Sequence, residues 1–407
     1  MSTTDATVLT DHETFAEGPP HPMFDAIRAE TPLADSGVGP EGNRLWAVCR
    51  HADIAEVSRS TDRFSSNVAG IFPNSNAVFN LMLTQNLLLY KDPPDHTKFR
   101  KILQTAFVPN SVNKRQEQVR ATIDAFIDGV IERGECDFVK QIAVPFPLSV
   151  LMDLMGLPRE DIHTLEGWID AIEAATISGV SDEANPVMME MAPYLLEQIT
   201  RQKEAGTESL VVTLANAVVD GESMKDEEIL VFFGLLVFAG NDTTRNTLAN
   251  GMRVLLEHPE QMRMLVDDPS LIPNAVEEIL RYTSVVQYFC RTATADTELS
   301  GCPVGEGDKV MIWYTAGSRD PGVNDDPHRF DITRDSIEHM AFGGGGRHFC
   351  LGAGLARQEL RVAFEQILGR MENIELADAP VRKRTNWANA LTSMPITFRS
   401  GSPLNPS

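Results

Sequence analysis

Apolar residues recur at three- and four-residue spacing along most of the chain, which places them on one face of a helix. The periodicity predicts helices at Val112–Arg133, Leu148–Leu154, Pro186–Glu204, Leu210–Val219, Asp226–His258, Pro259–Val266, Leu271–Tyr282 and Ala353–Met371. Short strand-like segments occur at Leu45–Cys49, Arg291–Ile312 and Ile374–Arg399. The pattern predicts a mainly α-helical protein with a smaller β-rich lobe.

No linker or low-complexity segment divides the chain, so we expect its 407 residues to form a single domain. Residues 1–15 and 400–407 are expected to be mobile ends. Met1–Pro20 lacks the basic and apolar regions of a signal peptide, and no apolar run approaches the roughly 20 residues that span a bilayer. We therefore expect a cytoplasmic protein without a membrane partner.

Cysteine usage and charge narrow the function further. The five cysteines are widely spread and include no Cys-x-x-Cys pair, which disfavours a disulfide framework or a zinc site. A net charge of −23 makes nucleic acid an unfavourable partner. Residues 96–120 are basic despite the negative net charge of the chain, because they include six cations and one acid. This segment is either a solvated helix face or a docking surface for an acidic partner.

The most distinctive motif is Phe342-Gly-Gly-Gly-Gly-Arg-His-Phe-Cys350-Leu-Gly352, directly before the last predicted helix. Glycines let a backbone approach a flat ligand, and a helix N-terminus favours a thiolate. A cysteine thiolate bound to haem iron donates electron density that promotes O–O cleavage. The phosphate-loop and dinucleotide-binding motifs do not fit, since no Lys-Ser/Thr follows and His348 breaks G-x-G-x-x-G. The alternative to an iron ligand is that Cys350 is a free cysteine that packs in the core as a small hydrophobic side chain.

The predicted helix Asp226–His258 carries Ala239-Gly-Asn-Asp242-Thr243-Thr within a mostly apolar sequence. Its small residues would let a planar cofactor and a diatomic ligand lie against the helix. Thr243 is placed to donate to the carbonyl of Ala239, four residues back, which would open a notch for a proton relay through Asp242 and Thr243. The alternative is an N-cap, at which Asp or Thr begins a shorter helix. The presence of Cys350 favours the relay.

Further charged residues suit supporting roles. Glu278 and Arg281 are spaced i,i+3, as in a common surface ion pair, and Arg329 could extend them into a buried network. Buried carboxylates need charge-assisted partners, so the two carboxylates of a haem would require cationic or imidazole donors. The candidates are His96, Arg100, Arg291 and His348. A solvent-facing position is the alternative for His96.

In their order along the chain, these motifs resemble the bacterial cytochrome P450 monooxygenases over roughly residues 20–400. The resemblance implies the P450 fold, with haem b between a long distal helix and the helix after the cysteine loop. It implies Cys350 as the iron ligand and Asp242 with Thr243 as the oxygen-activation pair. The four carboxylate-binding candidates become propionate partners, and the three network residues a structural network. Phe342 and Gly352 would lie beside the haem.

One departure from the family pattern concerns the cysteine loop. Phe342 lies eight residues before Cys350, one more than usual, and Gly343 takes the usual aromatic position. This variant resembles a subset that hydroxylates steroid side chains, branched lipids and terpenoids. By the same resemblance, substrate contacts are expected from Phe72, Phe79, Leu88, Ile172, Val237, Ala239, Val286 and Leu391. These apolar side chains indicate a bulky apolar substrate, unless they are ordinary core.

The sequence therefore predicts a haem-thiolate monooxygenase that inserts one atom of O2 into a C–H bond of a hydrophobic molecule. The resemblance implies a monomer that receives electrons one at a time from an acidic ferredoxin, itself reduced by a ferredoxin reductase. The basic segment, with Arg347, Arg357 and Arg361, would steer that partner electrostatically. A peroxide-driven or non-redox member of the same fold is an alternative. A non-catalytic haem-thiolate sensor is another, but it would not need Asp242 and Thr243.

Overall fold

The computed structural model describes residues 5–73, 87–178 and 184–404. Helices dominate these ranges. In chain order they are α1 (His21–Glu30), α2 (His51–Arg59), α3 (Asp95–Gln104), α4 (Pro109–Asn113), α5 (Gln116–Ile131), α6 (Pro145–Met155), α7 (Ile162–Ser178), α8 (Ala184–Ala205), α9 (Leu210–Ala215), α10 (Asp226–Glu257), α11 (Pro259–Asp267), α12 (Ile272–Thr283), α13 (Tyr314–Gly317) and α14 (Ala353–Arg370). Among the described residues, no helix is long and apolar enough to cross a membrane.

The strands are short and form a minor part of the structure. They are β1 (Ala34–Val38), β2 (Arg44–Val48), β3 (Phe64–Ser65), β4 (Glu135–Asp137), β5 (Val218–Val219), β6 (Glu222–Ser223), β7 (Tyr288–Ala293), β8 (Thr297–Leu299), β9 (Cys302–Val304), β10 (Lys309–Trp313), β11 (Glu372–Leu376), β12 (Val381–Arg382), β13 (Leu391–Ser393) and β14 (Pro395–Arg399). The largest sheet has the order β1-β2-β10-β7-β3, with β10 parallel to β2 and antiparallel to β7. The predicted β-rich lobe is confirmed.

Helix α10 is the central element, and its sequence explains both of its ends. Three acids, Asp226 to Glu228, occupy the first turn, where their negative charges interact favourably with the positive end of the helix dipole. The Glu228 carboxylate also accepts a 2.9 Å hydrogen bond from the N–H of Lys225. At the other end, Pro259 restricts His258 to a non-helical conformation. Packing against α6, α12 and α14 places the middle of α10 inside the protein.

Residues 6–15 were expected to be part of a mobile end, but in the structure they pack against the rest of the domain. Residues 6–15 form two short 3₁₀ helices. Leu9 and Phe15 are fully buried, and the Phe15 ring stacks on Trp313 with 5.5 Å between centroids. Burial of these two apolar side chains offsets the entropy cost of ordering the segment. At the other end, Gly401 donates to the carbonyl of Ile131.

Candidate active site

The cysteine loop forms a tight turn that ends at α14. The N–H of Cys350 donates to the carbonyl of Phe342 at 3.0 Å, which closes the loop. Gly343, Gly345 and Gly346 have φ values of 95°, 89° and 74°, a region that favours glycine. The turn therefore requires most of the glycine run, and it delivers the thiol to the start of a helix.

Two glycines of the loop, Gly344 and Gly346, pack closely against α2. A Cβ at Gly344 would lie 2.3 Å from the Ser58 side chain, and one at Gly346 would lie 2.6 Å from the Ser58 carbonyl oxygen. A side chain at either position would therefore force Ser58 or the loop to move. The loop is therefore glycine-rich because it bends in the left-handed region and packs directly on α2.

Opposing effects set the pKa of the Cys350 thiol. Burial raises the pKa, whereas the Gly352 and Ala353 N–H groups and the charges of Arg100 and Arg357 oppose that rise. The net pKa is raised, although the side chain keeps an exposed face. Iron bound to sulfur replaces the thiol proton, so a raised pKa is compatible with ligation. The backbone donors and the two arginines would then stabilise the thiolate.

The predicted carboxylate-binding residues come together beside the cysteine loop. The His96 and His348 rings lie 4.3 Å apart, and the Ser66 hydroxyl is 3.3 Å from Nε2 of His348. Arg291 is buried, and its guanidinium donates to the carbonyl of Cys290 at 2.7 Å. The spacing of His96 and Arg100 on one helix face is confirmed, since both lie on α3.

Electrostatics in this group indicates a site for anions. Burial first, and then Arg100, lowers the pKa of His96 to about 4, against a weaker opposite effect of Asp92. Burial and then Arg291 lower the pKa of His348 to about 2. Nδ1 of His96 is buried without a partner among the described residues. A soft sulfur donor beside this positive group fits an iron porphyrin that carries two carboxylates.

The hydroxyl of Thr243 behaves as its spacing predicts. Oγ1 of Thr243 donates to the carbonyl oxygen of Ala239 at 3.1 Å. Because α10 runs unbroken from Asp226 to Glu257, the alternative in which Asp242 or Thr243 begins a shorter helix is wrong. Ala239, Asp242 and Thr243 all line the same cavity.

Asp242 lies in a buried ion-pair cluster that the sequence interpretation missed. Its Oδ1 accepts from Nη2 of Arg245 at 2.7 Å and from the Asn246 amide at 3.1 Å. The same guanidinium reaches Glu173 of α7, which also pairs with Lys383. The i,i+3 spacing of Asp242 and Arg245 was a usable signal, but the contacts with Glu173 and Lys383 join distant parts of the chain.

A cavity of about 860 Å³, including its opening, lies beside this part of α10. Four of the predicted substrate contacts line it: Phe72, Ile172, Ala239 and Val286. Phe238 and Phe289 also line the cavity, as do Tyr90 and Trp387, two aromatic residues that the sequence interpretation missed. The rings of Phe238 and Trp387 stack with 5.5 Å between centroids. The lining is therefore largely apolar and aromatic.

Three predicted pocket residues are instead core residues. Leu88, Val237 and Leu391 are buried in the main hydrophobic cluster and do not line the cavity. Neighbours that face the other way line the cavity instead: Leu87 and Leu89 beside Leu88, and Leu235 and Phe238 near Val237. For Leu88 and Val237 the prediction therefore chose the right segment but the wrong face, whereas the lining includes no direct neighbour of Leu391. Phe79 lies outside the described residues.

The Glu278–Arg281 pair is a buried network rather than a surface pair. Both side chains are fully buried and bond through two contacts of 2.7 Å. The predicted third member was wrong, because Arg329 is largely exposed and pairs with Asp331. Arg334 takes that place, with Nε 3.2 Å from Oε1 of Glu278. Only the backbone carbonyl of Arg329 joins the network, as an acceptor for Arg281.

Phe342 packs beside the cysteine loop and is tied to two helices. Its ring lies 6.3 Å from that of Phe349, and the Arg357 guanidinium sits 4.5 Å above it. Arg357 and His339 both contact the carboxylate of Glu277, at 2.7 Å and 3.0 Å. This arrangement orients Phe342 next to Cys350.

The basic surface is smaller than the sequence predicts, because several of its cations have acidic partners within the protein. Lys98 pairs with Asp95 and Asp220, and Arg120 pairs with Glu365. Arg357 pairs with Glu277, and Arg100 is only partly exposed. The cations of the predicted set that are exposed and have no such acidic partner among the described residues are Lys101, Lys114 and Arg347.

Comparisons with known proteins agree with this geometry. The cytochrome P450 family model matches residues 180–397. The chain is 31% identical over 402 residues to a steroid C26-monooxygenase of Rhodococcus jostii, covering 97% of this chain and 85% of that protein. It is 35% identical over 367 residues to a methyl-branched lipid omega-hydroxylase of Mycobacterium tuberculosis, covering 88% and 85%. A Mycobacterium marinum cytochrome P450 in complex with pseudoionone has a TM-score of 0.86 at 32% identity, covering 95% and 97%.

The chain therefore belongs to the cytochrome P450 family and has its fold. It is a monooxygenase, and the family implies haem-thiolate iron, O2 and a source of electrons. The resemblance seen in the sequence is confirmed.

Proposed function

We propose that this protein hydroxylates an uncharged steroid, terpenoid or branched lipid, with haem b held by Cys350. The main support for this proposal is the cavity beside Ala239 and Thr243, whose wall is almost entirely apolar and aromatic. Burying a charged group there without a partner would cost several kcal/mol or more. The relatives named above act on a steroid and on a methyl-branched lipid, which supports the same substrate classes here.

Each group of residues has a distinct task in this proposal. Haem-thiolate iron, when bound, supplies the activation of O2. His96, Arg100, Arg291 and His348 would bind the propionates and so fix the cofactor. Thr243 would present its hydroxyl to the oxygen side of the cavity, and Asp242 would pass it a proton. Glu278, Arg281 and Arg334 would hold the segment that leads to the cysteine loop.

A reduced ferredoxin is the proposed electron donor, and it would dock on the face that carries Lys101, Lys114 and Arg347. Arg347 belongs to the cysteine loop and is close enough to lower the pKa of His96. Lys114 follows α4, which packs against α14. A positive patch on a chain of net charge −23 would orient an acidic partner over the thiolate side. We place this exchange in the cytoplasm, because all five cysteines are free thiols, as is usual in a reducing compartment. The expectation of a monomer rests on the family resemblance alone.

Spectral titration of the ferric protein tests the substrate proposal. Cholesterol, pseudoionone and the ester and free acid of one branched lipid should be compared. We expect the neutral compounds to shift the haem spectrum and to yield hydroxylated products with a ferredoxin, its reductase and NADH. Tighter binding and faster turnover of the free acid than of its ester would contradict the proposal. For the docking face, Lys101→Glu should slow reduction by ferredoxin. The control Lys140→Glu, at an exposed lysine outside the predicted basic segment that pairs with Asp137, should not.

A further inference from the structure

Two acids share one arginine beside the oxygen-activation pair. Glu173 of α7 and Asp242 of α10 are both almost completely buried. Nη2 of Arg245 lies 3.0 Å from Oε2 of Glu173 and 2.7 Å from Oδ1 of Asp242. One guanidinium therefore joins the two carboxyl groups, which places Glu173 next to the residue proposed to deliver protons.

Each acid also has an oxygen without a partner. Oε1 of Glu173 and Oδ2 of Asp242 are buried and make no hydrogen bond within the described part of the chain. An unpaired buried carboxylate oxygen is unfavourable, so each such atom requires an explanation. A protonated carboxyl is less costly to bury than a carboxylate, and it can donate a hydrogen bond. The two unpaired oxygens therefore indicate a place where a proton is stored and exchanged.

The charges around Glu173 favour a stored proton. The cluster contains three acids, Asp170, Glu173 and Asp242, but only two cations, Arg245 and Lys383. Burial and then Asp242 raise the pKa of Glu173, and Lys383 and Arg245 only partly oppose them. Burial and the excess of acids therefore favour the neutral form of Glu173, which is the most deeply buried of the three.

The cluster also reaches the surface. Nζ of Lys383 lies 2.6 Å from Oε2 of Glu173, and the lysine side chain is 30% exposed. Asp170, on the other side of Arg245, is largely exposed. Solvent can therefore exchange protons with the outer end of the cluster, while Asp242 at the inner end lines the cavity.

We propose that Glu173 is a second acid of the oxygen-activation machinery, which stores a proton and resupplies Asp242. Glu173 would release its proton to the Asp242 carboxylate, Asp242 would pass one to Thr243, and solvent would reprotonate Glu173 beside Lys383. Each turnover then moves protons inward from water and leaves both acids as they began. The proposal rests on the proposed function for its role in catalysis, but not for the protonation of Glu173.

Protonation of Glu173 is tested first by Glu173→Gln, which resembles the neutral acid in shape and charge. Glu166→Gln is the matched control, since Glu166 lies on the same helix and, within the described part of the chain, forms an ion pair with His163 alone. We expect both holoproteins to melt within about 2 °C of wild type at pH 7. A carboxylic-acid infrared band present in wild type should be absent in Glu173→Gln. If Glu173 were ionised, its replacement would take from Lys383 the carboxylate at 2.6 Å and from Arg245 one of its three acidic partners, and it would lower Tm by about 5 °C.

The catalytic role is tested with pseudoionone as substrate, ferredoxin and NADH. In Glu173→Gln we expect the yield of product per NADH to fall about tenfold, less than the roughly 100-fold typical of direct proton transfer. The solvent deuterium isotope effect should rise, and Glu173→Asp should recover part of the yield. An unchanged yield and isotope effect in Glu173→Gln would overturn the relay. If wild type gives no product, the proposed function fails for this substrate, while melting and infrared data still decide the protonation of Glu173.

Discussion

Replacement of Arg334 by Ala tests the network beneath the cysteine loop, and Arg329→Ala is its matched control. Arg334 is largely buried, contacts Glu278 at 3.2 Å, and donates to the carbonyls of Asp325, Asp326 and Arg329 at 2.6–2.7 Å. Its loss leaves Glu278 with one cationic partner and three carbonyls without this donor. Breaking such a buried pair costs about 3–5 kcal/mol.

The control differs because Arg329 is 63% exposed and its side chain pairs with Asp331 at the surface. An exposed pair contributes about 0–1 kcal/mol. An unfolding entropy of about 2 cal/mol/K per residue gives about 0.8 kcal/mol/K for 407 residues, so Arg334→Ala should lower Tm by about 4–6 °C and Arg329→Ala by about 1 °C or less. Circular-dichroism melts of the holoproteins measure both. An equal or larger effect of Arg329→Ala would refute the assignment of Arg334.

Three further outcomes follow from the site. Contacts with His339 and Arg357 outweigh burial and lower the pKa of Glu277 from 4.5 to about 2. Its stabilisation, about 3 kcal/mol, is therefore complete above pH 4.5 and lost as pH falls toward 2, so urea unfolding should show the gap between wild type and Glu277→Gln closing over that range. Ala239→Phe should weaken substrate binding in spectral titrations but leave the carbon monoxide spectrum intact, because Ala239 lines the cavity. Thr243→Ala should divert NADH to peroxide; full coupling would contradict the relay.

Periodic segments and ordered motifs were predictable from the sequence. The apolar period placed α10 and α14 to within one residue at each end, because long helices that bury one face show their period clearly. Helices α1, α2, α3 and α7 were not predicted, although His96 and Arg100 were placed on one helix face. The first three are only nine or ten residues long, and a short span shows few repeats of the period. Length does not explain the omission of α7, which has 17 residues.

The remaining features depend on contacts between distant parts of the chain. Arg334, rather than Arg329, reaches Glu278 because the loop after α13 folds back, which local spacing does not reveal. Val237 and Phe238 are adjacent and equally apolar, but only the latter lines the cavity. The contact between Glu173 and Arg245 likewise requires α7 to lie across α10. Side-chain direction and helix crossing, rather than composition, decide these cases.

The carbon monoxide spectrum of the reduced protein tests the central claim, that Cys350 binds haem iron as a thiolate, most directly. Wild type should show the red-shifted band typical of thiolate ligation, and so should the control Cys302→Ala, whose cysteine lies on β9. Cys350→Ala should lose that band or lose haem altogether. An unchanged thiolate-type band in Cys350→Ala would contradict the account.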